Sequence, residues 1–478
     1  MAVVLLVIAA MTLATAQEPT DAPRIHYRLS RTVAAWLPWW MDKNGDGDGW
    51  KDIEAHAEEI DEVSFFAFAA DPETGDLTNE GLDHGMTSQS IVDQVGWLHT
   101  RDVAALFTVT QFNQVGEMLS DPARLQHLIN TIVATTVTYG FDGVDIDFED
   151  FKVVDPNDAS RYTDFIEQLS QVMHLHHDAA GFPLIVVATV LPHTDRGTFN
   201  FVDFNALGTS DVDRIRVMAY DEFYPGSKTA GASAPAPWVA AVATYLSSVS
   251  APQWKFVMGM PGYGYRWPVV SADDWTTTGK GISTTYTTAQ TLMAAHNAGR
   301  NWSDDQRAPY FSYSDAGQTW IGFYEDAESW QTKLQTVLLP SRLNGISTWA
   351  AGFEDPNSWP VIDANLATEF PVYGVIGDCY WWYGGGARLG SPVDKEINSG
   401  SPAESSPNGR AGREQDFENG NIYYSWGAER AYVVDGAVLA AYKAAGGSAG
   451  KYGFPVSDAS TAANGTTKQQ FEHGVITE

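Results

Sequence analysis

The chain has 478 residues, 44% of them hydrophobic, and sets 28 Lys and Arg against 60 Asp and Glu for a net charge of −32. A field of that sign repels nucleic acid and anionic lipid and favours a neutral or cationic ligand. One cysteine, Cys379, excludes an internal disulfide, so stability must come from core size in a chain long enough for two or three structural units.

The opening stretch, "MAVVLLVIAAMTLATAQ", is an apolar run ending in the small-x-small element Ala14-Thr15-Ala16. It is too short for a membrane span and reads as a signal peptide over 1–16, followed by a linker over 17–30. No Lys or Arg precedes the run, so the basic end of a signal peptide is missing. Export is expected, with no membrane span in the mature chain.

From 31 to 370, short apolar runs alternate with polar, helix-like stretches. The runs are Thr32–Trp40, Glu62–Ala70, Asp102–Thr110, Phe141–Glu149, Pro183–Pro192, Arg214–Tyr220, Lys255–Pro261 and Gly345–Trp349. Eight strands separated by crossover helices predict an α/β fold, a (β/α)8 TIM barrel. Leu125–Thr138 and Tyr162–His176 have helical apolar spacing, and Asp121-Pro122 suits an N-cap and first helical position. Pro268–Arg342 exceeds one helix and predicts a small β-rich insertion before the eighth strand, with "PYFSYSD" and "TWIGFYED" as strands.

Three short signals carry no site. "MDKNGDGDGW" starts like a calcium loop, but Ile53 occupies its twelfth position and Glu54 comes one step late, so a solvated turn is expected. His174 and His177 lack a third ligand and read as surface histidines. "GMPGYGYRW" lacks the Lys-Ser/Thr of a phosphate loop.

Beyond 370 the texture turns Gly-rich and aromatic. "RLGSPVDKE…REQDFENGNIYYS" and "KYGFPVSDA…KQQFEHGVITE" share Gly-x-Pro-Val and Phe-Glu-x-Gly elements, so 371–478 is expected to be a small module of repeated units.

The chemistry is concentrated in "FDGVDIDFED". Alternation along a strand puts Asp145, Asp147 and Glu149 on one face and Val144, Ile146 and Phe148 on the other. In a barrel the acidic face points inward and climbs toward the C-terminal mouth, with Glu149 uppermost. Like charges stacked in a poorly solvated interior raise at least one carboxyl pKa and titrate jointly, which suits a general acid. Structural carboxylates would instead need a cation beside them, and the strand itself contains none.

"DGVDIDFE" resembles the Asp-Gly-x-Asp-x-Asp-x-Glu motif of glycoside hydrolase family 18, the chitinase-like barrels. The resemblance continues in "VMAYDEFY" on the sixth strand, "VMGMPGYGYRW" on the seventh and "GISTWAAGFED" on the eighth, and extends over roughly Thr32 to Phe370. It implies a retaining, substrate-assisted mechanism in which the sugar's own N-acetyl group replaces an enzyme nucleophile. Glu149 would then be the catalytic acid, with Asp147 orienting the acetamido nitrogen, backed by Asp145. Tyr220 would bind the acetamido oxygen, Asp221 the sugar, and Trp349 would floor the site. Trp36, where many relatives have Tyr, and Met218 join the substrate-contacting set, with barrel packing as the alternative for Met218; Asp142 is expected to fix the start of its strand. The Ser-x-Gly-Gly element of relatives is missing from the third strand, "VAALFTVTQFN", which bears on subsite shape. The third, fifth and sixth strands and the insertion look closer to bacterial members acting on peptidoglycan-like or short N-acetylglucosamine substrates.

"RLGSPV", "KYGFPV" and the paired "DFENG" and "QFEHG" resemble LGFP repeats of actinobacterial cell-envelope proteins, with Ser391 where the name calls for Phe. The expected partner is an N-acetylglucosamine polysaccharide or oligosaccharide, with the bacterial cell wall held through the repeats; no metal, cofactor or nucleic acid is implied. An inactive sugar-binding barrel, or a wall-anchored structural protein, is the competing reading, and a tail that merely packs on the barrel competes with a wall-binding one.

Overall fold

The computed structural model describes residues 27–42, 48–149, 155–178, 181–195, 201–399, 411–462 and 464–478. The start of the chain and the centre of "MDKNGDGDGW" lie outside the described residues. Eight parallel strands close into a barrel: Thr32–Pro38, Glu62–Ala70, Ala104–Gln111, Gly143–Phe148, Ile185–Val190, Arg214–Val217, Phe256–Pro261 and Gly345–Trp349. Each pairs with its neighbours in chain order, and the eighth closes on the first with Gly345 opposite Thr32. Every expected strand is present, though several are shorter than the apolar run that announced them.

The period-two pattern explains the fourth strand. Val144, Ile146 and Phe148 are at most 1% exposed and face the helical layer, where Phe148 stacks on Phe165 at 5.6 Å. The flanking helices are Pro122–Tyr139 and Asp158–Met173; Asp121 caps the first by accepting from Ala123 N and Arg124 N. Below the barrel, aspartates just ahead of alternate strands take up amides at the start of the preceding strand. Asp61 Oδ2 accepts from Val33 N, Asp142 Oδ2 from Ala105 N and Asp213 Oδ2 from Val186 N, each at 2.8 Å. Strand-start amides left unpaired in the ladder are thereby satisfied. Asp142 also meets His99 at 2.9 Å and Asp213 meets His174 at 3.0 Å, so His174 belongs to this lower rim.

The insertion is a five-stranded antiparallel sheet in the order Ile282–Thr285, Tyr263–Val269, Gln318–Phe323, Ala308–Asp315, Asn301–Ser303. It begins at Tyr263, earlier than the sequence suggests, because Gly262 N donates to Trp349 O at 2.7 Å and turns the chain out of the barrel immediately after Pro261.

The C-terminal region repeats helix, turn and hairpin. In one unit the helix Gly374–Trp382 carries Tyr380, whose hydroxyl donates to Gly390 O at 3.0 Å; in the next, Gly436–Ala444 carries Tyr442, which donates to Gly453 O at 2.7 Å. Gly390 and Gly453 have φ of 77° and 68°, and a Cβ on either would strike Glu418 or Glu472. Those glutamates accept from the next amides, Ser391 N and Phe454 N. The first unit packs against the barrel. Trp381, 6% exposed, sits under its floor among Ala104, Leu106, Ile185 and Val187. Among the described residues no helix is long and apolar enough to cross a membrane.

Candidate active site

At the mouth, the fourth strand delivers its carboxyl column. Asp145 is fully buried, Asp147 is 4% exposed, and Glu149 is half-buried, so solvent access rises along the column as an inward, upward row requires. Glu149 N donates to Gln111 O at 2.8 Å, and Gln111 Nε2 in turn donates to Ala70 O at 2.6 Å, which ties the top of the column to its neighbours.

The three carboxyls have different surroundings. Asp145 accepts from Trp36 Nε1 at 2.7 Å, Thr108 Oγ1 at 3.0 Å, Thr189 Oγ1 at 2.6 Å and Arg216 Nη1 at 3.1 Å. Burial pushes its carboxyl up to about 6 against the hydrogen bonds from Thr189, Trp36 and Thr108. Asp147 Oδ1 is buried without a hydrogen-bond partner among the described residues, and burial together with Glu149 and Asp145 drives its carboxyl well above the usual range. Burial, then the charge of Asp221, pushes Glu149 up to about 7. The cation that a structural carboxylate needs is therefore given to Asp145, while Asp147 and Glu149 are left to hold a proton between them. An unpartnered buried carboxyl oxygen costs roughly 1–3 kcal/mol or more, and such groups concentrate at functional sites.

The sixth strand brings up Tyr220 and Asp221. Burial first, then Asp147, Glu149, Asp221 and Asp145, hold the Tyr220 hydroxyl protonated, so it is a donor facing acids. Gly259 makes room for it: a Cβ there would lie 2.8 Å from Val217 O and 3.0 Å from both Met218 Cα and the Tyr220 ring. Asp221 has a left-handed φ of 63°, fixed by Tyr263 at 2.7 Å, Ser233 at 3.0 Å and Tyr265 at 3.1 Å, all donating to Oδ1. Burial raises its carboxyl pKa despite these donors.

Trp349, half-buried at the end of the eighth strand, meets Phe66, Trp36 and Trp40 edge-on at 4.7, 5.9 and 6.3 Å. Trp36 is 1% exposed with its indole N–H on Asp145, so it stands behind the carboxyl column and away from open space. Met218 is 6% exposed beside Gly259.

The structure thus gathers Glu149, Asp147, Asp145, Tyr220 and Asp221 into one electrostatic cluster. Thr108, Thr189, Ser233, Tyr263, Tyr265 and Arg216 escaped the sequence reading. Arg216 had a visible signal, since it shares strand parity with Met218 and so points inward.

Residues 108–354 match the family model Glycosyl hydrolases family 18, and 389–450 match the LGFP repeat. YdhD of Bacillus subtilis is 26% identical over 341 residues, covering 69% of this chain and 75% of YdhD. Chitotriosidase-1 of Mus musculus is 26% identical over 291 residues, covering 53% of this chain and 61% of that protein. The Bacillus cereus spore cortex-lytic enzyme SleL superposes with a TM-score of 0.59 at 21% identity, covering 73% of this chain and 76% of SleL, a likeness of fold. The family match runs from the third barrel strand to just past the eighth, through the strands that carry the carboxyl column, Tyr220, Asp221 and Trp349, and takes in more than half of the chain, which therefore belongs to glycosyl hydrolases family 18.

Proposed function

We propose that this glycosidase is secreted and cleaves β-1,4 bonds that follow N-acetylglucosamine, in chitin, its oligomers or peptidoglycan strands, with retention at the anomeric carbon. The observation that carries the reading is the contrast within one column: burial and the charge of Asp221 push the Glu149 carboxyl up to about 7, while Asp147 beside it has a buried oxygen without a hydrogen-bond partner among the described residues. Glu149 gives that proton to the glycosidic oxygen as the acetamido carbonyl oxygen of the same sugar attacks the anomeric carbon and the glycosidic bond breaks. Asp147 accepts the acetamido N–H and balances the positive charge of the oxazolinium ring. Tyr220 donates to the acetamido oxygen, Asp221 holds the sugar, and the indole of Trp349 lies under it. Glu149, now ionised, takes a proton from water as that water opens the ring from the face the leaving group vacated. Asp145, held by Trp36, Thr108, Thr189 and Arg216, supports Asp147 from below.

The substrate class also rests on the relatives, among them a protein called chitotriosidase-1 and one called a putative sporulation-specific glycosylase. We assign 1–16 to a signal peptide, 31–370 to the hydrolase unit and 371–478 to a repeat module that holds the enzyme at the cell wall. Exchanging the substrate's N-acetyl group for a free amine tests the mechanism. Cleavage at that sugar should stop, and a persisting rate would require a nucleophile from the enzyme.

A further inference from the structure

Beneath the carboxyl column the barrel interior holds a line of charges that no solvent reaches. Arg214 is 2% exposed, and Glu62, Arg216 and Asp145 are at 0%. Arg214 Nη1 lies 2.6 Å from Glu62 Oε2; Arg216 Nη2 contacts Glu62 Oε1; Arg216 Nη1 lies 2.7 Å from Ser64 Oγ and 3.1 Å from Asp145 Oδ2. At the lower end Arg214 Nη2 donates to Trp381 O at 2.8 Å, and its guanidinium stands 4.1 Å from the centre of the Trp381 ring. The line thus runs from the helix Gly374–Trp382 to the base of the catalytic column.

Its arithmetic is what matters. Two guanidinium ions directly contact two carboxylates, Glu62 and Asp145, with the buried Asp61 acting on Arg214 from nearby, so loss of the Asp145 charge leaves Arg216 with only Glu62, which it shares with Arg214. An isolated charge at such a site is far more costly than a paired one. We propose that Arg216 is a positioning residue for the reaction: it fixes Asp145 as an anion, so that the proton kept by the column resides on Asp147 and Glu149, next to the sugar. Glu62, Arg214 and the Trp381 carbonyl hold Arg216 in that place. The proposal deepens the reading of the site given above and rests on it for the chemistry at the sugar.

Among the described residues, the following charged or titratable groups face Asp145. Arg216 approaches from the sixth strand, Glu62 acts through Arg216 from the second, and Asp147 stands above it on its own strand. Tyr220 from the sixth strand and Tyr162 from the following helix stay protonated through burial. Trp36, Thr108 and Thr189 add neutral donors. Arg216 is therefore the only cation among the described residues in direct contact with Asp145.

The test compares Arg216→Met, Arg216→Lys and Glu62→Gln through the pH profile of kcat/KM on a nitrophenyl glycoside of the N-acetylglucosamine dimer. Removing the cation raises the affinity of Asp145 for protons, so in R216M the acid limb should move up by about one pH unit or more. R216K keeps the charge and should stay near wild type. E62Q removes the competing anion, so its acid limb should move down. Opposite shifts cannot come from general loosening of the core; limbs that stay put, or that move the same way in R216M and E62Q, overturn the proposal. An infrared difference between wild type and Asp145→Asn at neutral pH needs no turnover and so separates this proposal from the functional reading. Loss of a carboxylate band supports an ionised Asp145, and loss of a protonated-carboxyl band overturns it, whether or not R216M folds.

Discussion

The indole N–H of Trp36 donates to Oδ2 of Asp145 at 2.7 Å, joining the first barrel strand to the fourth inside the buried core. Replacing Trp36 by Phe keeps a ring but deletes a hydrogen bond to a charged acceptor, a contact worth about 1.5–3 kcal/mol. We expect W36F to lose stability on that scale in urea titrations and to lose kcat with little change in KM, because the indole N–H is committed to the buried Asp145. A loss confined to KM would mean that Trp36 touches substrate.

Asp221 raises the proton affinity of Glu149, and its own carboxylate is held by Tyr263, Tyr265 and Ser233. Asp221→Asn removes that charge, so Glu149 gives up its proton at lower pH. The acidic form is needed for protonating the leaving oxygen, so the basic limb of the pH–rate profile should shift downward. An unmoved basic limb in D221N would disconnect the two residues.

Stability should fall as pH rises from about 4 to about 7. Asp61 and Glu149 are both pushed up to about 7 by burial, and Asp145 to about 6. Each folded-state value lies above the unfolded one, so the native state binds more protons within that window and loses ground to the unfolded chain as they leave. His99 beside Asp142 and His174 beside Asp213 act in the same direction: burial lowers their pKa, their aspartates raise it further, and the net shift is upward. Their contribution is present below the unfolded value of about 6.5 and lost as pH rises through the folded one. Calorimetry should give a higher Tm at pH 5 than at pH 8, with a smaller difference in E149Q.

Trp381 closes the barrel floor from a helix that follows the eighth strand by some distance in the chain. Trp381→Ala leaves a cavity under Arg214 and should cost about 3–5 kcal/mol in denaturant unfolding. A chain ending at Val372 loses the same plug and should unfold at a lower temperature than one that retains the first repeat unit. Equal melting temperatures for the two truncations would make the floor dispensable.

The strand count, the inward carboxyl row and the insertion could all be read from local pattern, since period-two alternation and turn residues are properties of a few consecutive positions. What escaped depends on closure. Trp381 O meets Arg214 across 167 residues of chain, and Thr108 and Thr189 reach Asp145 only once three strands lie side by side. The repeat was visible at Gly390 and Gly453, yet its unit starts earlier, at the helix carrying Tyr380 or Tyr442, because a single hydroxyl-to-carbonyl bond joins that helix to the motif. Strand ends were overrun where apolar character continues past the ladder, as in the sixth run, read to Tyr220 while its strand ends at Val217; the insertion, read from Pro268, starts at Tyr263 once Gly262 bonds to Trp349.

The central claim is that Glu149 delivers the proton. The most direct measurement is turnover of a chromogenic N-acetylglucosamine oligomer by Glu149→Gln, with affinity for the same oligomer measured alongside. The account predicts a kcat lower by about 10²–10⁴-fold or more with affinity largely kept. A rate within about tenfold of wild type, in a protein that binds the sugar normally, would contradict it.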